Sequence, residues 1–133
     1  DTFEKVVFLA PLIKSKYYGL SRFGRFVTRP FLSDVSTGYD EVLGVARMPL
    51  SWFDAQVRWN NRNDEYPVFV RSLLVLQGDE DRVVAWRRNR RYLERHFPNM
   101  EYHLLEDAGH VILKEPPEIL NEALETIMRF LKG

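Results

Sequence analysis

Apolar positions gather in three short runs. Lys5-Val6-Val7-Phe8-Leu9-Ala10-Pro11 is continuous and ends at proline, as expected of a strand buried on both faces of a parallel sheet. Ser72 to Gln77 repeats the pattern, and Glu101-Tyr102-His103-Leu104-Leu105 is a third, weaker strand. Between the last two, Val84 to Phe97 places Trp86, Leu93 and Phe97 on one side and Arg87, Arg88, Arg90, Arg91 and Arg95 mostly on the other. This predicts an amphipathic helix closed by Pro98 and Asn99. Pro116 and Pro117 open a final helix, in which Leu120, Ala123, Leu124, Ile127, Met128 and Leu131 recur at helical spacing before Gly133. The order strand, helix, strand, helix implies an α/β layered sheet with right-handed crossovers.

Residues from about Ile13 to Tyr66 break this rhythm. They carry aromatics (Tyr17, Tyr18, Phe23, Phe26, Phe31, Trp52, Phe53, Trp59), scattered glycine and proline, many arginines, and helical periodicity only around Glu41–Ala46 and Ser51–Trp59. So long a segment between two buried strands exceeds an ordinary connection and reads as an inserted subdomain. The expected organisation is residues 1–13 and 67–133 as core and 14–66 as insert. The insert reads either as an irregular helical cap with a small core of its own, or as a lid over an apolar pocket.

The 133 residues suffice for one domain with a genuine core. Lysine plus arginine equal aspartate plus glutamate at 19 each, which argues against a nucleic-acid partner or a generic polyanion. Cysteine is absent, so disulfides and thiolate metal sites are excluded; this fits a reducing compartment. The longest apolar run falls far short of the roughly 20 residues of a membrane-spanning helix, and no secretory signal precedes it. A soluble, cytoplasmic protein without a transmembrane segment is expected, with peripheral membrane contact an open alternative. Because the chain opens at Asp1 without methionine, directly before a buried strand, it is expected to be part of a longer polypeptide.

The candidate chemistry lies where strands end. Leu73-Leu74-Val75-Leu76-Gln77-Gly78 stops at glycine and delivers Asp79, Glu80 and Asp81, and the third strand leads into Ala108-Gly109-His110. In parallel sheets the carboxyl ends of strands converge on one edge, so an acid and a base would meet there. Taken singly, Gly-Asp-x-Asp can equally be a tight turn with capping aspartates, and Gly-His a plain loop. Asp79 competes with Asp81 as the acid. Ser21, in Gly19-Leu20-Ser21-Arg22-Phe23, lacks the second glycine of a nucleophile turn and lies in the insert, so it is not the expected nucleophile.

Val6–Pro11, the long insert, Gly78-x-x-Asp81-Arg82-Val83-Val84 and Gly109-His110 followed by Lys114-Glu115-Pro116-Pro117-Glu118 together resemble the C-terminal part of an α/β-hydrolase. The nearest resemblance is to the branch of monoacylglycerol lipases, lysophospholipases and serine aminopeptidase-like hydrolases. The resemblance implies a parallel sheet with an inserted, mainly helical cap, Asp81 as triad acid and His110 as base, in the family order nucleophile, acid, histidine. It implies a serine hydrolase acting on carboxylic esters of lipid or other apolar acyl substrates. The nucleophile and oxyanion hole would come from an upstream segment, since no Gly-x-Ser-x-Gly occurs here, and the chain alone would be inactive. An aspartate nucleophile, as in relatives acting on epoxides or alkyl halides, and a non-catalytic binding module of the same descent are the alternatives.

The arginine cluster reads either as a solvated helix face or as a contact for phospholipid head groups or an acidic partner. His96 and His103 lack companions at ligand spacing, so no metal site is expected. No phosphate loop or dinucleotide fingerprint occurs, and no cofactor is expected.

Overall fold

The computed structural model describes residues 4–14, 16, 34–36 and 47–133. In chain order the elements are β1 (Lys5–Leu9), β2 (Asp34–Ser36), β3 (Arg47–Pro49), α1 (Leu50–Arg62), β4 (Ser72–Gly78), α2 (Trp86–His96), β5 (Met100–Leu105) and α3 (Pro117–Lys132). Single 3-10 turns follow α1 at Asn63–Glu65 and precede α3 at Ile112–Lys114. The chain divides into two compact units, Asp1–Lys16 with Pro67–Gly133, and Tyr17–Tyr66.

The first unit is built on a parallel sheet in the order β1-β4-β5. β4 is central and reads as an unbroken apolar run because both its faces are covered. Leu74 and Leu76 face one way, into a cluster with Leu105, Ile112, Ala123 and Phe130 under α3. Leu73 and Val75 face the other way, packing with Ile13 and Leu93 on the α2 side. Each of these large side chains contributes roughly 1.5–3 kcal/mol on burial, which holds sheet and helices in three layers. Among the described residues no strand pairs with the outer edge of β1.

Both helices are rotated or trimmed relative to the sequence expectation. On α3 the buried stripe is Ala123, Thr126 and Phe130, flanked by Ile119 and Ile127, while Leu124, Met128 and Leu131 are about half exposed. Apolar residues wrap about half of this helix, so periodicity alone could not choose the face. Phe130 packs with the sheet cluster, and the Lys5 ammonium donates to the carbonyls of Phe130 (2.9 Å) and Leu131 (3.1 Å), capping the helix end with a cation. On α2, Trp86 and Leu93 are buried as expected and the five arginines are exposed, but Asn89 and His96 are buried too.

Asn89 is buried because it replaces missing backbone partners. Its side-chain oxygen accepts from the Lys14 N–H (2.9 Å), and its amide donates to the carbonyls of Pro11 (3.2 Å) and Lys14 (3.3 Å). The Ala85 N–H donates to the Lys14 carbonyl, and the Lys16 N–H to the Val83 carbonyl, both at 2.8 Å. The segment after β1 is thereby stitched to the start of α2. At the other end of α2, the Phe69 N–H donates to the His96 carbonyl (2.8 Å), and Phe69 stacks on Phe97 at 5.4 Å.

In the second unit β2 and β3 form an antiparallel ribbon that leads into α1, so its described part is not helical throughout. α1 exposes Trp52 and Trp59 and buries Asn60, whose amide donates to the Gln56 carbonyl at 2.9 Å. The Glu41–Ala46 periodicity, Ser21, and the aromatics Tyr17, Tyr18, Phe23, Phe26 and Phe31 lie outside the described residues.

Gly78 closes β4 where the chain passes against the loop after β5. A Cβ there would overlap the carbonyl groups of Ala108 and Gly109. Gly78→Ala is therefore expected to destabilise the protein by about 1–3 kcal/mol or more, read as a lowered urea midpoint. An unchanged midpoint would show that the two loops separate freely.

Candidate active site

The acid loop and the histidine loop are joined through the backbone before any side chain is involved. After β4, the Asp79 N–H donates to the Leu105 carbonyl (3.1 Å) and the Glu80 N–H to the Ala108 carbonyl (3.0 Å). The β5 loop reverses through Asp107, whose φ of 54° lies in the left-handed region that Asp tolerates better than most residues. Ala108 is fully buried against this junction. The Gly109 N–H donates to Glu115 Oε1 at 2.8 Å, which ties the histidine loop to the turn before α3.

This scaffold brings together Asp81 and His110. The His110 Nδ1 lies 2.8 Å from Asp81 Oδ2. The Asp81 side chain is fully shielded from solvent, while that of His110 keeps about a third of its surface open. An ionised carboxylate can only accept, so Nδ1 carries a proton, and in the neutral imidazole the lone pair is then on Nε2. No described residue occupies Nε2.

Asp81 accepts three further hydrogen bonds. Oδ1 receives the N–H groups of Val83 (2.8 Å) and Val84 (3.0 Å), and Oδ2 also receives the Gln77 side-chain amide (2.9 Å). Burial pushes the Asp81 carboxyl up, but hydrogen bonds from His110, Val84, Gln77 and Val83 together outweigh it and hold the pKa below its ordinary value. The carboxylate is thus kept charged and fixed in orientation, as required of a group that holds an imidazole in one tautomer and stabilises its cation.

Asp79, the rival acid, does not approach His110. Its carbonyl accepts from the Trp86 indole (3.1 Å), and its buried Oδ1 has no hydrogen-bond partner among the described residues. His96 places Nδ1 2.9 Å from the Tyr92 carbonyl and stacks on Tyr92, while His103 Nε2 lies 2.7 Å from Glu122 Oε1. Among the described residues no three potential metal-ligating side chains converge, and no helix is long and apolar enough to cross a membrane.

Gln77 and Glu115 were not singled out as site residues in the sequence. A signal existed for Gln77: it is the one polar side chain at the end of a fully buried strand, where a polar group needs a partner. Glu115 carried no comparable signal, because only the folded loop brings it to the Gly109 N–H.

The sheet order, the two helical layers and the paired loops at the carboxyl edge are the architecture of an α/β-hydrolase. Solved structures agree. The chain superposes on a soluble variant of monoglyceride lipase from Saccharomyces cerevisiae, determined with a substrate analogue, with a TM-score of 0.67 and 14% identity. That match covers 95% of this chain and 54% of the lipase. It also superposes on the monoacylglycerol lipase of Paleococcus ferrophilus, with a TM-score of 0.62, 19% identity, and coverage of 99% of this chain and 60% of the other. The chain therefore has the α/β-hydrolase fold and spans little more than half the length of these lipases. No family model and no curated relative matches the sequence.

The folded-state pKa of Asp81 lies below its ordinary value of 3.8, so its ionisation stabilises the fold fully above that value. This stabilisation is lost as pH falls through the lower folded value. Asp81→Asn is accordingly expected to unfold at lower urea than the parent at pH 7, with the gap closing in acid once pH falls below about 4. A gap that does not change with pH would mean that the carboxylate charge contributes nothing.

Proposed function

We propose that this chain supplies the acid and the histidine of a serine hydrolase that cleaves carboxylic esters of lipid or other apolar acyl substrates. The observation that carries the reading is the buried, multiply hydrogen-bonded Asp81 held 2.8 Å from the partly exposed His110 at the carboxyl edge of the sheet. The α/β-hydrolase fold supports it, because that edge is where the fold assembles its chemistry. Residues 14–66 act as the cap over the acyl group, and an upstream segment of the same hydrolase supplies the nucleophile and oxyanion hole.

The chemistry follows from the two ring nitrogens. With Nδ1–H donated to Asp81, Nε2 is free to take the proton of an attacking serine hydroxyl as the ester carbonyl is attacked. The imidazolium then formed is stabilised by the Asp81 carboxylate, which is held ionised by its other donors. The same proton passes to the departing alkoxide, releasing the alcohol and leaving an acyl-enzyme. A water molecule, deprotonated by the same Nε2, completes hydrolysis. Removal of the acid of such a pair costs about 10⁴-fold in turnover, and removal of the histidine about 10⁶-fold.

The test uses the complete natural polypeptide. Fluorophosphonate treatment, read by peptide mass, should place one label on a serine upstream of this chain, and ester turnover should fall by about 10⁴-fold in Asp81→Asn and about 10⁶-fold in His110→Ala. An unlabelled protein that opens epoxides or displaces halide would move the nucleophile from serine to aspartate. A protein with neither reaction would be a binding module built on the hydrolase fold.

A further inference from the structure

A second feature adjoins the acid loop and is not used by the proton relay. Lys16, Asp79, Glu80, Asp81, Arg82 and the first residues of α2 line a cleft of about 320 Å³. That volume lies at the small end of the roughly 300–1,000 Å³ range of ligand pockets, enough for a head group rather than a whole lipid.

Its charge is uneven. Lys16, Arg82, Arg87 and Arg88 contribute four cations, all exposed. Against them stand Asp79 and Glu80, since Asp81 is already engaged by His110, Gln77 and two backbone N–H groups. None of the four cations forms an ion pair among the described residues.

The arginines elsewhere on α2 are differently placed. Arg90 pairs with Glu94 at 2.7 Å and covers the Tyr102 ring, and Arg95 donates to the Arg91 carbonyl. The cluster is therefore not one uniform solvated face. Arg87 and Arg88 turn toward the cleft, with the Arg87 guanidinium held over the Trp86 ring at 4.0 Å. Unpaired guanidinium groups around a small cavity suit a multivalent oxyanion, whose several oxygens can each accept from a different donor.

We infer that this cleft seats the phosphate group of a single-chain acylglycerol phosphate, with Lys16, Arg82, Arg87 and Arg88 as its donors. The choice of lipid rests on the ester-hydrolase reading above; phosphate binding itself does not require catalysis. A phosphate seated there selects a charged lysolipid over a neutral monoacylglycerol.

The experiment is a calorimetric titration of the complete natural polypeptide, in its His110→Ala form so that no ester is consumed, with hexanoylglycerol 3-phosphate, neutral hexanoylglycerol and inorganic phosphate. The phosphate ester should bind about tenfold or more tightly than the neutral ester, and raised salt should erode the difference. The double variant Arg82→Gln/Arg88→Gln, with folding verified by far-UV circular dichroism, should lose most of that preference. Equal binding of charged and neutral esters, or a preference that survives the double variant, overturns the assignment. Inorganic phosphate binding as tightly as the ester overturns the lipid source and leaves a free-oxyanion site. If the phosphate ester binds as expected but the complete protein takes no fluorophosphonate label, the hydrolase reading fails and the cleft stands.

Discussion

The contact between the end of β4 and the loop after β5 governs the rest of this site. At Gly78 the two chain segments run so close that no side chain fits between them. Backbone N–H groups of Asp79 and Glu80 bridge the gap to carbonyls of the histidine loop. Only after this junction is made do Asp81 and His110 meet. The dyad's geometry is therefore set by main-chain packing, which is stiffer than any pair of long side chains and costs less entropy to hold.

Stiffness matters most for a buried charge. A carboxylate removed from water is stable only if its oxygens are satisfied, and Asp81 meets this requirement with four donors drawn from β4, the turn after it and the histidine loop. Each donor comes from a segment whose position the sheet fixes. Loss of any one would weaken the case for ionisation and loosen the imidazole together, so acid strength and orientation are two aspects of the same arrangement.

How much of this was legible in the sequence depends on the element. The central strand, its glycine stop and the acidic and Gly-His loops beyond the strands could be read directly, because a continuous apolar run ended by Gly is the pattern of a strand buried on both faces. The faces of the helices could not. On α3, aliphatic residues cover too wide an arc for spacing to identify Ala123, Thr126 and Phe130 as the inner stripe. On α2, Asn89 looks like a surface residue until the carbonyls of Pro11 and Lys14 are found facing it. The choice between Asp79 and Asp81 also needed the fold, since both follow the glycine and only the turn geometry aims one of them at the histidine.

The stitching of α2 has a consequence for how such a protein can change. The chain leaves the sheet beside the first turn of α2 and returns beside its last, and at both places main-chain hydrogen bonds fasten it. A helix anchored at its two ends by the stems of an excursion acts as a fixed frame. Whatever is carried between the stems can lengthen, shorten or alter its surface at a closure cost that grows only slowly with length. The segment between Lys16 and Pro67 can therefore change in length while the frame keeps Asp81 and His110 in register.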